Sequence, residues 1–228
     1  MRAEKVFDGV YRLDGKLATV NLVRGKKVYD EDLVTIDNTE YRTWNPYRSK
    51  LAAAIVNGME RMAIKDGSKV LYLGAATGTT ASHVSDIVGA SGSVYAIEIS
   101  ERSMRDLIEV CESRENIFPM LHDARNVEGY ADDVGTADVL YEDIAAPDQA
   151  EILLGNADLL KDDGIAYVAI KSQSIDISKK PSDIFKEFLQ KASKKFELIQ
   201  SIDIEPFDRM HLFVVLQKKT GAEKPGKH

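Results

Sequence analysis

From about residue 69 onward, strand-like runs of apolar residues alternate with segments of helical periodicity. The strand-like runs are KVLYLG, SVYAIEI, NIFPML, ADVLYED and GIAYVAIK. The helical segments lie near residues 79–89, 101–113, 147–160 and 181–195. A strand that is joined to the next one through a helix returns parallel to it. The alternation therefore predicts an α/β fold, in which a doubly wound sheet carries helices on both faces.

The last two strand-like runs follow a different rule. FELIQSIDIE and HLFVVLQK are separated only by PFDRM, which leaves no room for a crossover helix, so we expect them to pair as an antiparallel hairpin. A mostly parallel seven-stranded sheet with such a C-terminal hairpin is the layout of class I methyltransferases. By this analogy of layout, we expect a class I methyltransferase-like fold.

The first part of the chain has the pattern of a small antiparallel sheet. GVYRL, LATVNLV and DLVTID are strand-like, and DGK, RGKK and DNTEY read as the turns between and after them. Helical periodicity begins after WNPYRSK, with apolar residues from Leu51 to Met62 on one face. We therefore predict a small N-terminal β domain over 1–48, a main domain over 49–218 and a frayed polar tail over 219–228.

Cysteine content and hydropathy exclude several classes of protein. The single cysteine, Cys111, excludes an internal disulfide and a cysteine-built zinc site, and no metal site is expected. Neither a signal region nor an apolar run of membrane length is visible, so we expect a soluble, cytoplasmic protein without a membrane partner.

The net charge of −7 argues against unaided binding to nucleic acid, and DNA is not expected as a partner. The charges are uneven. Residues 96–163 hold 18 acidic against 5 basic side chains, whereas residues 171–195 hold 7 basic against 3 acidic. The basic region can tolerate a phosphate backbone, although solvated helix faces explain such runs equally well.

Small residues follow the first strand of the main domain, in VLYLGAATGTTASHVSD. Gly74 and Gly78 allow a sharp turn and a close approach to a ligand, with the spacing G-x-x-x-G in place of the G-x-G-x-x-G of dinucleotide folds. Thr79 and Thr80 place hydroxyls and N–H groups at the start of a helix, where a carboxylate is favoured.

Acidic residues follow the next three strands, and the carboxyl ends of parallel strands meet at one edge of the sheet. Glu98 can accept hydrogen bonds from both hydroxyls of a ribose, and Asp123 from an adenine amino group, while Asp143 lies at the mouth of the site. S-adenosylmethionine, which is cationic and has a carboxylate, a ribose and an adenine, fits this set. NAD fits less well because its pyrophosphate would face the acidic mouth. The alternative is that these carboxylates only cap helices. With their neighbours, the predicted cofactor-binding residues are Gly74, Ala76, Gly78, Thr79, Thr80, Glu98, Ile99, Asp123, Ala124, Asp143, Ile144, Ala145 and Ala146.

Four stretches resemble fibrillarin, the methyltransferase of box C/D ribonucleoproteins, which methylates ribose 2′-hydroxyls of RNA. They are NPYRSKLAAAI, VLYLGAATGTTASHVSD, YEDIAAPDQ and the region around Lys171, and the resemblance runs from about residue 5 to 217. The sequence has no Gly/Arg-rich stretch before this region, so we expect the archaeal form of the family. Two positions depart from the family pattern: Thr77 replaces the usual serine, and Met210 replaces an acidic residue that usually precedes the histidine.

The resemblance implies a catalytic tetrad of Lys50, Asp143, Lys171 and His211. Lys171 ends an apolar strand, where an ammonium is costly unless paired, and Asp143 is its natural partner. Lys171 would orient or deprotonate the 2′-hydroxyl, while Lys50 and His211 would position the hydroxyl and the adjoining phosphate. On the alternative interpretation Lys50 is an ordinary surface lysine and His211 a structural histidine.

Other polar and aromatic residues lie near the predicted site in sequence. His83 is interpreted as structural or peripheral to the site, and His122 as lining the adenine contact. Trp44, Pro46 and Tyr47 could form a stacking platform for RNA, but packing at the junction of the two parts is the favoured interpretation.

The resemblance also implies a function and partners. It predicts an S-adenosylmethionine-dependent 2′-O-methyltransferase of rRNA and tRNA, with roles in rRNA and tRNA processing, whose targets are selected by box C/D guide RNA. A Nop-family scaffold protein would be the direct partner, with a kink-turn-binding ribosomal-type protein in the same particle. One alternative is a small-molecule O-methyltransferase, which would usually need a substrate lid or a metal site. The other is a non-catalytic assembly subunit, and the presence of all four tetrad residues weighs against it.

Overall fold

Two β-sheets organise the chain in the computed structural model, which describes residues 2–221. Most of the predicted polar tail, 219–228, lies outside the described residues. Within 2–221 no helix has both the length and the apolar character needed to cross a membrane.

The N-terminal sheet is antiparallel, as predicted, but has five strands in the order β1-β2-β3-β5-β4. They are β1 (Ala3–Phe7), β2 (Val10–Leu13), β3 (Lys16–Val20), β4 (Leu33–Ile36) and β5 (Thr39–Thr43). The reading of DNTEY as a turn was wrong beyond its first two residues, because Thr39 already begins β5. Asp37 and Asn38 alone form the hairpin loop, and both have the positive φ that a tight two-residue turn requires.

The second sheet has seven strands in the order β11-β12-β10-β9-β6-β7-β8. They are β6 (Lys69–Leu73), β7 (Ser93–Glu98), β8 (Ile117–Leu121), β9 (Ala137–Glu142), β10 (Leu160–Lys171), β11 (Phe196–Asp203) and β12 (His211–Lys218). All neighbours pair in parallel except β12, which is antiparallel to both β10 and β11. The predicted fold class is confirmed. Strand order reverses between β6 and β9, and ligands of open α/β sheets bind at such a point.

Seven α-helices connect these strands in the described part of the chain. They are α1 (Lys50–Val56), α2 (Thr79–Val88), α3 (Glu101–Cys111), α4 (Ala131–Val134), α5 (Gln149–Asn156), α6 (Ser172–Ile175) and α7 (Pro181–Ala192). Two predicted helices were too long. The periodicity to Met62 overran the end of α1 at Val56, because the chain turns at Gly58 with a φ of 96°. The segment 147–160 ends as a helix at Asn156 and already forms β10 at Leu160.

The seven-stranded sheet separates two cores, as a doubly wound sheet must. Alternate residues of each strand point to opposite faces. Val70 and Tyr72 pack on the side of α1, α2 and α3, whereas Leu71 and Leu73 pack on the side of α5 and α7. The two faces together bury almost every apolar residue of the central strands, and this rigid layer holds the strand ends in place.

A buried charge cluster joins the N-terminal sheet to α2. It consists of Glu31, Arg42, Asp86 and Arg114, whose side chains are at most 1% exposed. Arg42 contacts Glu31 at 2.7 Å and Asp86 at 2.9 Å, and Arg114 contacts Asp86 at 2.7 Å. Two cations therefore balance two anions. The domain boundary at residue 48 stays a prediction, but this cluster ties the two parts into one body.

Candidate active site

A cleft of about 270 Å³ lies at the carboxyl ends of β6, β7, β8 and β9. Nine of the thirteen predicted cofactor-binding residues line it: Gly74, Ala76, Glu98, Ile99, Asp123, Ala124, Asp143, Ile144 and Ala145. Lys171, His122 and Arg125 line it as well. Gly78, Thr79, Thr80 and Ala146 are not among its lining residues.

The loop after β6 is constrained by its close approach to the loop after β9. Gly74 has a φ of 81°, and a Cβ atom at this position would lie 2.8 Å from the backbone oxygen of Asp143. A side chain would therefore push apart the two strand-end loops at the point where strand order reverses. Glycine is needed here for the close approach of backbone to backbone.

Glu98 fixes the same loop from the other side. One carboxylate oxygen accepts a hydrogen bond from the Ala76 N–H and the other from the Ser100 N–H, both at 2.8 Å. Ala76 has a φ of 48°, an unfavourable value for a residue with a Cβ, and the bond to Glu98 holds it there. Because each carboxylate oxygen can accept two hydrogen bonds, Glu98 keeps acceptor capacity toward the cleft.

The threonines at the start of α2 are oriented differently from the sequence-based expectation. The Thr80 hydroxyl is buried and donates to the Ser49 hydroxyl at 3.0 Å. The Thr79 side chain lines a separate groove with Tyr29 and Arg48. The Thr80 hydroxyl thus serves a packing contact, and neither threonine is among the residues that line the cleft.

Asp123 enters the cleft as half of an ion pair. Arg125, which the sequence analysis did not single out, contacts Asp123 at 3.2 Å and Asp148 at 2.6 Å. His122 packs with its ring centroid 5.9 Å from that of Tyr130. The predicted adenine end of the cleft therefore contains a cation that covers part of the Asp123 carboxylate.

The structure brings Lys50, Asp143 and Lys171 together at the mouth of this cleft. Lys171 Nζ lies 2.7 Å from Asp143 Oδ1 and donates a hydrogen bond to the Asp143 backbone oxygen at 2.8 Å. The contact with Oδ1 is a contact of charges rather than an aligned hydrogen bond. Lys50 Nζ lies 3.1 Å from Oδ1 and donates to Oδ2 at 3.2 Å. Two ammonium groups thus share one carboxylate.

His211 lies beside Lys171 through strand pairing and is linked to Lys50 by Asp208, a residue that the sequence analysis missed. Strand register places His211 directly opposite Lys171. Asp208 lies 2.9 Å from His211 Nδ1 and 3.6 Å from Lys50 Nζ, so it links the two. The signal was present in DRMH, where an aspartate precedes the histidine by three residues across a tight turn. Met210, at the position of the usual acidic residue, has a φ of 60° and is half exposed.

The surroundings of His211 fix the position of its ring proton. Nδ1 lies 2.9 Å from the Asp208 carboxylate and 2.8 Å from the backbone oxygen of Arg209, and both partners are acceptors. Nδ1 must therefore carry a proton, which in the neutral ring leaves Nε2 as the acceptor. The cluster alternates basic side chains with carboxylates, in the order Lys171, Asp143, Lys50, Asp208 and His211.

Comparison with known proteins identifies the family. The Fibrillarin family model matches residues 1–220. The chain belongs to the fibrillarin family. The fibrillarin-like rRNA/tRNA 2′-O-methyltransferase of Thermococcus onnurineus is 49% identical over 218 residues, which cover 93% of this chain and 96% of that protein.

Solved fibrillarin structures agree with this fold over nearly the whole chain. The crystal structure of Aeropyrum pernix fibrillarin with natively bound S-adenosyl-L-methionine has a TM-score of 0.87 and 42% identity, and covers 95% of this chain and 98% of that one. A chain in the crystal structure of the fibrillarin/Nop5p complex has a TM-score of 0.87 and 36% identity, with coverages of 94% and 100%. The resemblance drawn from the sequence motifs is confirmed.

Two titratable residues near the candidate site are buried outside it. His83 is fully buried, hydrogen-bonded to Thr19 and Tyr29, and stacked on Trp44 with ring centroids 4.7 Å apart. Burial and the nearby guanidinium groups of Arg42 and Arg114 lower its pKa well below the ordinary histidine value. His83 and Trp44 therefore pack the junction between the two sheets, and Trp44 is not available for stacking on RNA.

Glu142 is a second buried group, adjacent in sequence to Asp143. It is fully buried at the end of β9, and neither carboxylate oxygen accepts a hydrogen bond from the described residues. Burial raises its pKa well above the ordinary value for glutamate, which favours the neutral acid. The charges of the site are therefore those of Lys50, Asp143, Lys171 and Asp208, without a contribution from Glu142.

Proposed function

We propose that this chain is an S-adenosylmethionine-dependent RNA 2′-O-methyltransferase that acts on ribose hydroxyls of rRNA and tRNA. The observation that carries the proposal is that the cleft and the charged cluster share two side chains. Asp143 and Lys171 line the cleft at the reversal of strand order, and the same two side chains form the cluster with Lys50. A cofactor in the cleft and a hydroxyl at the cluster would meet at Asp143.

The cleft residues fit the chemistry of S-adenosylmethionine. Glu98 has acceptor capacity for two ribose hydroxyls, and the exposed side chain of Ile99 offers apolar surface for a base. The Asp143 carboxylate suits a neighbouring sulfonium. When bound, the cofactor supplies a methyl group on a positively charged sulfur, which is open to in-line attack.

The cluster residues can prepare the hydroxyl for that attack. In this proposal Lys171, held by Asp143, directs its ammonium at the 2′-oxygen and stabilises the negative charge that develops there. Lys50 adds a second cation within reach of the same carboxylate. His211 keeps Nε2 free to accept a proton or a hydrogen bond because Asp208 and Arg209 hold the proton on Nδ1. No step needs Glu142.

Recognition of RNA would be shared with partners. A net charge of −7 gives weak affinity for phosphate, so the free chain is expected to bind unguided RNA poorly. We propose that box C/D guide RNA selects the target and that a Nop-family scaffold is the direct partner. The fibrillarin/Nop5p complex, which contains a chain 36% identical to this one, supports the scaffold. A kink-turn-binding ribosomal-type protein would complete the particle.

The proposal is tested by methyl transfer from labelled S-adenosylmethionine to a guide-paired RNA, with and without a Nop-type partner. Transfer to the RNA only in the assembled particle is expected. Transfer to nucleosides or other small molecules by the free chain, with none to RNA, would instead favour a small-molecule O-methyltransferase. Cofactor binding with no transfer to any acceptor would favour the assembly-subunit alternative.

Variants of Lys171 separate chemistry from structure. Lys171→Ala should keep its affinity for S-adenosylmethionine and lose nearly all transfer, because it acts on the transition state. Lys171→Arg should fail too, since a planar guanidinium does not replace a compact ammonium. Lys161→Ala is the matched control, because Lys161 lies at the other end of β10 in an exposed pair with Asp138. Full transfer by either Lys171 variant would remove this residue from the mechanism.

A further inference from the structure

An aromatic pair of one exposed and one partly buried ring lies on the segments that carry Lys50 and Asp208. The rings of Tyr47 and Phe207 meet edge to face, with centroids 5.0 Å apart and an interplanar angle of 75°. Tyr47 precedes Lys50 by three residues, and Phe207 is adjacent to Asp208 in sequence. Because Lys50 and Asp208 are 3.6 Å apart, the two segments that carry the rings meet at the cluster.

Tyr47 is held in place but is not buried. Its backbone N–H donates to the Asn45 side chain at 2.9 Å, which fixes the short 3-10 turn over residues 46–48. Phe207 packs against the core beneath it. Tyr47 itself stays 67% exposed. In the described part of the chain its hydroxyl forms no hydrogen bond with protein, so the exposed ring presents a free polar tip on the segment that leads into Lys50.

The target of the proposed reaction explains such a side chain. In A-form RNA the 2′-hydroxyls are displayed in the wide, shallow minor groove, and proteins recognise such duplexes through ribose and 2′-hydroxyl contacts. An enzyme that brings Lys171 to one 2′-hydroxyl must meet the riboses of the adjoining nucleotides. A tyrosine suits a ribose, because the ring packs on its C–H surface while the hydroxyl pairs with its 2′-hydroxyl.

We propose that Tyr47, supported by Phe207, contacts the ribose next to the target nucleotide and hydrogen-bonds to its 2′-hydroxyl. The inference rests on the proposed function and extends it: the chain reads the RNA character of a flanking nucleotide and thereby positions the target hydroxyl at Lys171. Tyr47 acts as a positioning residue and takes no part in the chemistry.

The test combines protein and substrate changes in the assembled particle. Single-turnover methyl transfer is measured for wild type and Tyr47→Phe on three guide-paired RNAs. The first is all-ribose, the second has one 2′-deoxynucleotide on the 5′ side of the target, and the third has one on the 3′ side. Wild type should be slowed about 3- to 10-fold by one of the two deoxy substitutions, the effect of losing one hydrogen bond. Tyr47→Phe should be slowed to a similar extent on all-ribose RNA and no further by that same substitution.

Tyr47→Ala and a matched control complete the design. Tyr47→Ala should be slower than Tyr47→Phe, with unchanged melting temperature and cofactor affinity. Phe118→Ala should transfer at the wild-type rate, because Phe118 is also a partly exposed ring in an aromatic pair, 5.1 Å from Tyr95, but lies on β8 at the far edge of the sheet.

Additive effects of Tyr47→Phe and both deoxy substitutions would overturn the inference. So would loss of assembly with the Nop-type partner in Tyr47→Ala, which would make this surface a protein contact. Absence of transfer by the wild-type particle would refute the proposed function itself, a result that is distinct from either of these.

Discussion

Neutralising Asp86 is the perturbation that best measures how the two sheets are held together. Its carboxylate contacts Arg42 Nη1 at 2.9 Å and Arg114 Nη1 at 2.7 Å, and accepts from the Thr19 hydroxyl at 2.7 Å and the Leu22 N–H at 3.0 Å. In Asp86→Asn an NH₂ group replaces one acceptor oxygen. At least one of these donors then loses its partner, and the cluster carries one uncompensated positive charge.

The cost follows from burial. Removing one partner of a buried ion pair typically costs about 3–5 kcal/mol, because the remaining charge is left desolvated. That is a large share of the roughly 5–15 kcal/mol by which proteins of this kind are stable. For a chain of this length, each kcal/mol lowers the melting temperature by about 2–4 °C, so a fall of roughly 6–20 °C is expected.

Urea titration and thermal denaturation, each at low salt and in 1 M salt, measure the effect. Because the cluster is excluded from solvent, the loss in Asp86→Asn should be nearly independent of salt. Asp148→Asn is the control, since Asp148 pairs with Arg125 at 2.6 Å on the surface and should change stability by no more than about 1 kcal/mol. A similarly small loss in Asp86→Asn, or its recovery in high salt, would refute the argument.

Three further predictions concern the strand ends. Glu98→Ala should weaken S-adenosylmethionine binding by about 1.5–3 kcal/mol, roughly 10- to 150-fold, and unchanged affinity by calorimetry would contradict the ribose assignment. Glu142→Gln should become more stable than wild type as pH rises above about 4.5. Folding raises the pKa of Glu142, so above this pH the carboxyl group ionises more readily in the unfolded wild-type chain and favours unfolding. Melting temperatures of the two proteins that change in parallel with pH would exclude this. Gly74→Ala should lower both melting temperature and cofactor affinity, whereas Gly25→Ala, with a similar φ of 77° but nothing within 4 Å of its Cβ, should lower neither to the same extent.

The main fold could be predicted because its signal is local and repeated. Alternating apolar runs and helical segments specify parallel strands, and the short PFDRM link specifies a reversed last strand. Helix ends were less predictable, since the turn at Gly58 interrupts an apolar face that continues in sequence. Strand β5 was missed because TEYRT carries few aliphatic residues, and its place is set by pairing with β3 and β4.

The candidate site was predictable to the extent that strand ends define it. Asp143 and Lys171 end neighbouring strands, and the structure brings their side chains to 2.7 Å. Contacts between distant segments gave no such signal. Asp208 lies near Lys50 because β12, which follows it, pairs with β10. The Thr80 hydroxyl donates to Ser49, which is 31 residues earlier in the chain. The charge cluster around Asp86 likewise joins positions far apart in sequence.

The order of the strands has a consequence for how this protein is made. All residues of the cofactor cleft except Lys171 lie before residue 153 of the chain, whereas Asp208 lies in the loop after β11 and His211 begins β12. A ribosome that synthesises the chain from its N-terminus therefore releases Lys50 and nearly all of the cleft residues well before Asp208 and His211. A nascent or truncated chain that ends before β12 contains every residue that lines the cleft and lacks the histidine that faces Lys171.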